Sequence, residues 1–412
     1  MDPMRIFRRT AGTAVLAASL GLALAIPAAA EPPASTTDSL IASRLANPRL
    51  GSSVGLLVVD AASGEVLSDH GGSQPMLPAS NMKIVTAVTT LAALGPDALL
   101  TTRVRTGATP ADVVLEGGGD PLLSTANLRH LANLTAQTVP PGTALIVHVD
   151  DDLFPDTRRA PGWTRSYIPS VVSSVEALAS IWDYSADPSA NAARVFVNQL
   201  VKKGVPATLG PDADAGEGAV IAETSHPVGD AVRVMLRISE NNVAEVLYRQ
   251  VAVATGVEAS WDGARTAAEQ VLRGLGVNPD GMALLDGSGL SRKDRVSPRF
   301  LVDVLRLARV TNPAPFTTMF EPEAMPVAGQ TGTLDDRYGR FVTRRARCAQ
   351  GAIKAKTGTL FDTIGLSGVA TTTAGTERLF SMLVNNRPQR YSALATRQAL
   401  DGLGATITGC WD

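Results

Sequence analysis

The alternation of apolar and polar residues predicts a sheet assembled from both ends of the chain. Apolar or alternating segments predict strands at 54–59, 352–356, 365–371 and 379–384. Helical spacing of apolar residues predicts helices at 39–46, 80–94, 188–203, 229–238, 245–253, 297–308 and 391–403. Strands near both termini, with helices between them, indicate an α/β fold.

The region from 99 to 225 has a different pattern. It carries Gly-Gly-Gly-Asp-Pro at 117–121, an acidic run at 150–152 and a Gly- and Asp-rich stretch at 210–218. The helix at 188–203 is the one convincing regular element that the pattern predicts inside it. We therefore predict a domain at 99–225, inserted into a catalytic domain formed by 31–98 and 226–412.

Residues 1–30 are predicted to be a secretory signal peptide. Three arginines precede an apolar run at 11–26, and Ala28-Ala29-Ala30 follows it. The apolar run of 16 residues is short for a membrane span. We expect cleavage after Ala30 and an exported, extracytoplasmic protein in the cell wall, the periplasmic space or the medium. Peripheral association with the cell wall or the membrane remains an open alternative.

Composition narrows the function classes. The chain has 412 residues, of which 45% are hydrophobic and 18% charged, enough apolar material for two domains with real cores. A formal charge of −2 gives no reason to expect a nucleic acid partner. Four scattered histidines and two cysteines form no metal-ligand spacing, so neither a metal nor another cofactor is expected. Export makes Cys348 and Cys410 either a disulfide or two separate buried thiols.

The tetrapeptide Ser80-Asn81-Met82-Lys83 carries the first candidate chemistry. It places a hydroxyl nucleophile and an amine base three residues apart, on one face of a helix. Serine needs an adjacent base at neutral pH, and lysine serves as one when its pKa is lowered. Ser80 lies at the predicted helix start, where backbone N–H groups favour negative charge. The pattern therefore predicts a lysine-activated serine.

Two later tripeptides supply the rest of an acyl-transfer site. Ser239 can carry a proton between lysine and leaving group, and the Asn241 amide can hold Lys83 and a substrate carbonyl. Lys356 adds a second ammonium that discourages protonation of Lys83 and attracts an anionic substrate. The next three residues are predicted to bind substrate: two hydroxyls for a carboxylate, and a glycine that permits close approach of the strand backbone. These are Thr357, Gly358 and Thr359. The N–H groups of Ser80 and Thr359 are the natural oxyanion-hole pair.

Each motif alone also has a simple structural explanation. Ser80 could be a helix N-cap, Ser239 and Asn241 could cap the next helix, and 356–358 could end an edge strand. Their co-occurrence in this order, each in the required structural context, favours catalysis. Gln-Thr-Gly-Thr-Leu at 330–334 nearly repeats the third motif without its lysine, and we assign it a structural or substrate-edge role. Ser288 lacks the surrounding nucleophile-elbow pattern.

Further segments resemble one family of penicillin-recognising enzymes. The three motifs are shared by β-lactamases and penicillin-binding proteins. Five more resemble the D-Ala-D-Ala carboxypeptidases of peptidase family S13, the DacB-like class C penicillin-binding proteins of low molecular mass. They lie at 115–121, 151–163, 239–245, 286–292 and 327–334. The resemblance covers nearly all of the predicted mature chain, and Glu240 departs from the aspartate that is common in the family.

The resemblance implies a transpeptidase/β-lactamase-like domain, an antiparallel sheet flanked by helices, with the insertion between the first and second motifs. It implies that Ser80 attacks the D-Ala-D-Ala amide of peptidoglycan stem peptides and forms an acyl-enzyme that water hydrolyses. β-Lactam antibiotics would acylate the same serine, and endopeptidase activity on cross-bridges fits the same chemistry. The alternatives are a β-lactamase, a transpeptidase and an inactive cell-wall-binding module. The intact motifs argue against the last.

Overall fold

The structure of the protein is a computed structural model that describes residues 34–155 and 159–410. The predicted signal peptide and its cleavage site lie outside the described residues. Within these two ranges, no helix is long and apolar enough to cross a bilayer.

The described chain contains strands near both ends and a run of five helices between β7 and β8. The strands are β1 Ser53–Asp60, β2 Val66–His70, β3 Leu99–Thr106, β4 Asp112–Gly117, β5 Leu145–Asp150, β6 Ala207–Leu209, β7 Val220–Pro227, β8 Ile353–Thr359, β9 Ile364–Thr371 and β10 Glu377–Asn385. The helices are α1 Ala34–Leu45, α2 Met82–Leu94, α3 Thr125–Thr138, α4 Tyr167–Ser170, α5 Pro188–Lys202, α6 Val228–Ile238, α7 Asn241–Thr255, α8 Trp261–Gly274, α9 Pro298–Arg306, α10 Thr317–Phe320 and α11 Ala393–Ile407.

The first sheet joins both ends of the chain, as the sequence predicts. Its order is β2-β1-β10-β9-β8, and every neighbouring pair is antiparallel. Helices α1 and α11 cover one face, and α2 and α9 belong to the helical layer on the other. The predicted fold class, an antiparallel sheet flanked by helices, is confirmed.

Coverage on both faces explains the continuous apolar sequence of β1. Leu56 and Val58 pack in the core under α1 and α11, whereas Leu57 and Val59 pack in the core with α2 and α9. Side chains alternate between the two faces of a strand. When both faces are buried, both sets of positions are apolar, and the apolar residues follow one another in the sequence.

A second sheet forms from the region that lies between the first two motifs. Its order is β6-β5-β4-β3-β7, with β3 antiparallel to both β4 and β7, and β5 parallel to both β4 and β6. Helices α3 and α5 contribute to the apolar core against this sheet. Sequence analysis predicted α5 but neither the sheet nor α3. Residue 225, the predicted end of the insertion, falls inside β7, and the division into domains stays a prediction.

A disulfide joins Cys348 and Cys410 across 62 residues. The sequence left this bridge and two separate thiols as alternatives, and the structure has the bridge. It ties the chain end that follows α11 to the segment that precedes β8, so it fastens the C-terminal helix beside the strand that carries the third motif.

Candidate active site

Ser80 lies in a short 3₁₀ turn, Ala79–Asn81, that leads into α2. The preceding residue, Ala79, is fully buried and has φ of 47°, a left-handed conformation that costs a non-glycine residue energy. The Asn81 side chain donates to Pro78 O at 3.0 Å and braces the turn. The backbone is thus held in a strained conformation immediately before the predicted nucleophile.

Lys83 lies one turn further along and is completely buried. Its Nζ is 3.1 Å from Ser80 Oγ, 2.8 Å from Asn241 Oδ1 and 3.0 Å from Ser288 O. Burial lowers the pKa of Lys83 to about 8, although neighbouring carboxylates oppose the shift. A lysine with this pKa is neutral in an appreciable fraction of molecules near neutral pH, as a general base must be.

Glu245 holds the loop that supplies the Ser288 carbonyl. Its two carboxylate oxygens accept from Gly287 N and Ser288 N, each at 2.9 Å. Burial raises the pKa of Glu245 to about 8, with the Asp286 carboxylate acting in the same direction. Sequence analysis quoted this residue as part of a motif but gave it no role. The helical position was the available signal, since Glu245 lies one turn after Asn241 on α7.

The second motif lies at the junction of two helices. Ser239 ends α6 with φ of 62°, and Asn241 begins α7. Glu240 accepts from Val243 N at 2.7 Å, so it caps α7. Capping requires only a carboxylate oxygen, so glutamate in place of the aspartate that is common in the family keeps this role. Asn241 Nδ2 donates to Val171 O at 2.8 Å, so the amide that was predicted to hold a substrate carbonyl already has one backbone partner.

Lys356 lies behind Ser239 rather than in the cleft wall. It is completely buried, and its Nζ donates to Ser239 Oγ and to Thr357 O, each at 2.8 Å. Burial lowers the pKa of Lys356 well below its usual value, and Lys83 adds to the shift. These contacts suit the positioning of Ser239, whereas an exposed ammonium for attracting substrate would need to face the cleft.

The three residues after Lys356 differ in where they point. Thr357 and Thr359 line the cleft. A Cβ on Gly358 would lie 2.9 Å from Pro78 O and 2.5 Å from Asn81 Nδ2. Close packing against the nucleophile turn therefore explains this glycine, and its proposed contact with substrate stays a prediction. Thr333 Oγ1 lies 2.8 Å from Thr357 Oγ1 and lines the cleft, in keeping with a substrate-edge position for the near-repeat at 330–334.

The cleft in front of these residues has a volume of about 730 Å³. Its walls include Tyr167 and Val171 from the region between the first two motifs, and the exposed Tyr338 and Phe361 at its mouth. Several arginines that sequence analysis did not single out also line it: Arg337, Arg340, Arg387 and Arg397. Within 34–155 and 159–410, no group of three His, Cys, Asp or Glu side chains is arranged to hold a metal ion.

Comparison with known proteins identifies the family. The model of the D-Ala-D-Ala carboxypeptidase 3 (S13) family matches residues 38–178 and 168–407. Carboxypeptidase DacB of Mycolicibacterium smegmatis is 32% identical over 402 residues, which cover 90% of this chain and 83% of the relative. A D-alanyl-D-alanine carboxypeptidase of an Actinomadura species is 28% identical over 455 residues, covering 86% and 82%.

A solved structure has the same fold. Penicillin binding protein 4 (DacB) of Haemophilus influenzae superimposes with a TM-score of 0.75 at 20% identity, covering 90% of this chain and 98% of the other. The chain therefore belongs to the D-Ala-D-Ala carboxypeptidase 3 (S13) family. The predicted family and enzyme class, a serine-type carboxypeptidase, are confirmed.

Proposed function

We propose that the protein acts outside the cytoplasm as a D-Ala-D-Ala carboxypeptidase on peptidoglycan stem peptides, with Ser80 as the nucleophile. The observation that carries the proposal is the environment of Lys83. Its buried amine lies 3.1 Å from Ser80 Oγ and is held on its other sides by Asn241 and Ser288 O. A buried amine of lowered pKa beside a serine hydroxyl is what lysine-activated acyl transfer requires.

In acylation, neutral Lys83 accepts the Ser80 proton while Ser80 Oγ attacks the carbonyl carbon of the penultimate D-Ala. The backbone N–H groups of Ser80 and Thr359 stabilise the developing oxyanion. The proton that Lys83 took from Ser80 reaches the leaving amine through the Ser239 hydroxyl, so Lys83 becomes neutral again. Lys356 Nζ, 2.8 Å from Ser239 Oγ, orients that hydroxyl. The C–N bond breaks, D-Ala departs and the acyl group remains on Ser80.

In deacylation, neutral Lys83 takes a proton from the water that attacks the ester carbonyl and returns it to Ser80 Oγ as the acyl–oxygen bond breaks. The acid product leaves, and Ser80 is restored. Thr357 and Thr359 hold the carboxylate end of the substrate during acylation. A β-lactam presents a reactive amide and a carboxylate in a similar arrangement, so it acylates Ser80 as well and deacylates slowly. We include cross-bridge endopeptidase activity in the proposal because the cleaved bond is the same type of amide, and the cleft extends beyond Ser80.

The test compares the mature protein, Ser80→Ala and Ser63→Ala with a fluorescent penicillin. Ser63 is an exposed serine in the β1–β2 turn and serves as the matched control. We expect a covalent adduct in the mature protein and in Ser63→Ala, and none in Ser80→Ala. D-Ala release from a pentapeptide and cleavage of a cross-linked muropeptide are then measured on the same three proteins.

Three results would contradict the proposal: no adduct in the mature protein, an adduct that persists in Ser80→Ala, or an adduct without release of D-Ala from either substrate. Rapid turnover of the penicillin would instead support the β-lactamase alternative. Cleavage of the pentapeptide alone would remove the endopeptidase part and leave the carboxypeptidase part standing.

A further inference from the structure

Three arginines meet at the end of the cleft beyond the third motif. Arg340, Arg387 and Arg397 line the same cleft as Thr359. Arg397 is on α11, and its Nη2 donates to Thr359 Oγ1 at 3.2 Å. A guanidinium thus touches one of the two hydroxyls that the proposed function assigns to the substrate carboxylate.

Arg397 differs from its neighbour Arg340 in forming no ion pair with a carboxylate of the described chain. Arg340 forms a buried ion pair with Asp401, with Nη2–Oδ1 at 2.6 Å, and Arg387 Nη1 donates to Tyr391 O at 2.9 Å. Among the residues that the structure describes, no carboxylate forms an ion pair with Arg397. Burial lowers the pKa of Arg397, and the positive charges of Arg340 and Arg387 lower it further. Three guanidinium groups thus share one carboxylate, so this end of the cleft has excess positive charge.

The start of α11 adds to this positive field. Ala393, its first residue, lines the cleft, and the helix continues for 15 residues. The N-terminal end of a helix carries partial positive charge from its aligned peptide dipoles and favours anions. The remaining arginine of the cleft wall is already engaged, since Arg337 lies 3.5 Å from Asp335 and stacks on Tyr338. Within the described ranges Arg397 forms no ion pair and contacts Thr359, so its guanidinium is placed to receive an anion from the substrate.

We propose that Arg397 binds the free carboxylate at the C-terminus of the substrate, beside the Thr357 and Thr359 hydroxyls, and makes the site specific for carboxylate-ended peptides. The inference rests on the proposed function and assigns a residue on α11, outside all three motifs. A guanidinium donates two parallel hydrogen bonds to a carboxylate, and charge-assisted bonds are stronger than those from neutral hydroxyls.

The experiment measures how Arg397 couples to the substrate carboxylate. Two acyl-D-Ala-D-Ala peptides, one with a free carboxylate and one with a terminal carboxamide, are cleaved by wild type, Arg397→Gln, Arg397→Lys and Arg194→Gln. Arg194 is an exposed arginine on α5 and is the matched control. We expect Arg397→Gln to lower kcat/KM for the acid by about 10- to 100-fold, the range of a charge-assisted hydrogen bond, with the amide changing less than about threefold.

Arg397→Lys keeps the charge without the two-pronged geometry, so we expect its acid-to-amide ratio to lie between those of wild type and Arg397→Gln. If the carboxamide is cleaved too slowly to measure, the rates of acylation by benzylpenicillin and by its methyl ester are compared instead. Benzylpenicillin carries a free carboxylate, and the methyl ester is its neutral counterpart. Unfolding midpoints confirm that each variant is folded, and a general structural effect would lower both rates of a pair equally.

Equal losses for the acid and the neutral substrate, or no loss for the acid, would overturn the role of Arg397. Failure of wild type to form a Ser80 adduct would instead overturn the proposed function. Arg397→Gln that still forms the adduct but keeps the wild-type acid-to-amide ratio removes only this inference. The two failures are therefore distinguishable.

Discussion

The regions around the two sheets differ in how many ionisable side chains they bury. The first sheet and its helices enclose many ionisable side chains, among them Lys83, Glu245, Asp286 and Lys356, each with no exposed surface. The region of the second sheet buries fewer ionisable groups: its core with α3 and α5 contains aliphatic and aromatic side chains such as Phe196, and two carboxylates, Asp120 and Glu176, are buried in the same region. Burying a charge is unfavourable unless partners compensate for it, so the ionisable groups mark the region that is organised for chemistry.

The polar contacts of the two regions agree with this difference. In the first region, two buried amines each contact a serine hydroxyl, at 3.1 Å for Lys83 and 2.8 Å for Lys356. The second region reaches the site through backbone groups such as Val171 O, which accepts from Asn241. We infer that the first region supplies the reacting groups, whereas the second shapes one wall of the cleft.

Among the substitutions that test this division of roles, Lys83→Met is expected to have the largest effect on the rate of acylation. Methionine has similar length and no charge, so it removes the base and leaves most of the packing. We expect the rate of Ser80 acylation by penicillin to fall by about 10³-fold or more. The free energy of unfolding should change by less than about 2 kcal/mol, because relief of a buried charge offsets the hydrogen bonds lost at Asn241 and Ser288. Stopped-flow acylation and urea unfolding measure the two quantities.

A variant that acylates at the wild-type rate would show that Lys83 is not the base. A Lys83→Met protein that fails to fold would show that the buried amine is needed for folding as well as for chemistry. That result would contradict the division of roles between the two regions.

Phe196→Ala in the second region is expected to lower stability and to leave acylation almost unchanged, the reverse of Lys83→Met. Phe196 is fully buried on α5, so its truncation leaves a cavity and should lower the free energy of unfolding by about 3–5 kcal/mol. Acylation per folded molecule should stay within about twofold of wild type, because the side chain lies in the second core and the reacting groups in the first. Val201→Ala, at an exposed position on the same helix, is the control and should change stability by less than about 0.5 kcal/mol. A large loss of acylation in folded Phe196→Ala would show that the two regions are tightly coupled.

The same contrast explains what the sequence could predict. Strand β1 has four successive apolar residues because both of its faces are covered, and such a run is easy to detect. In β5, Leu145, Val147 and Val149 face the core while Ile146, His148 and Asp150 face outwards, which gives a weaker signal. The three motifs predicted a group of residues that the structure brings together. Arg397 and Glu245 were assigned no role, because neither belongs to the three motifs and their contacts join residues 38 and 43 positions apart in sequence.

The smallest effect concerns the pH dependence of acylation. Lys83 must be neutral to accept the Ser80 proton, and its pKa is lowered to about 8, so the rate of acylation should rise as the pH increases through about 8. The negative charges of Glu245, Glu240 and Asp286 favour the protonated lysine and raise its pKa against the effect of burial. Glu245→Gln removes one of these charges. The midpoint of the pH profile should therefore move to lower pH, by about one unit or less.

The maximal rate in Glu245→Gln should also fall, by less than about tenfold, because glutamine has one acceptor oxygen for the two N–H groups at 287 and 288. The control is Glu217→Gln, an exposed glutamate in the loop before β7, which should leave both midpoint and maximum unchanged. An upward shift in Glu245→Gln would contradict the electrostatic effect of Glu245 on Lys83. A lower maximum with an unmoved midpoint would mean that Glu245 is neutral when Lys83 loses its proton and acts only by holding the loop. This outcome would separate the positioning of the Ser288 carbonyl from the electrostatic effect on Lys83.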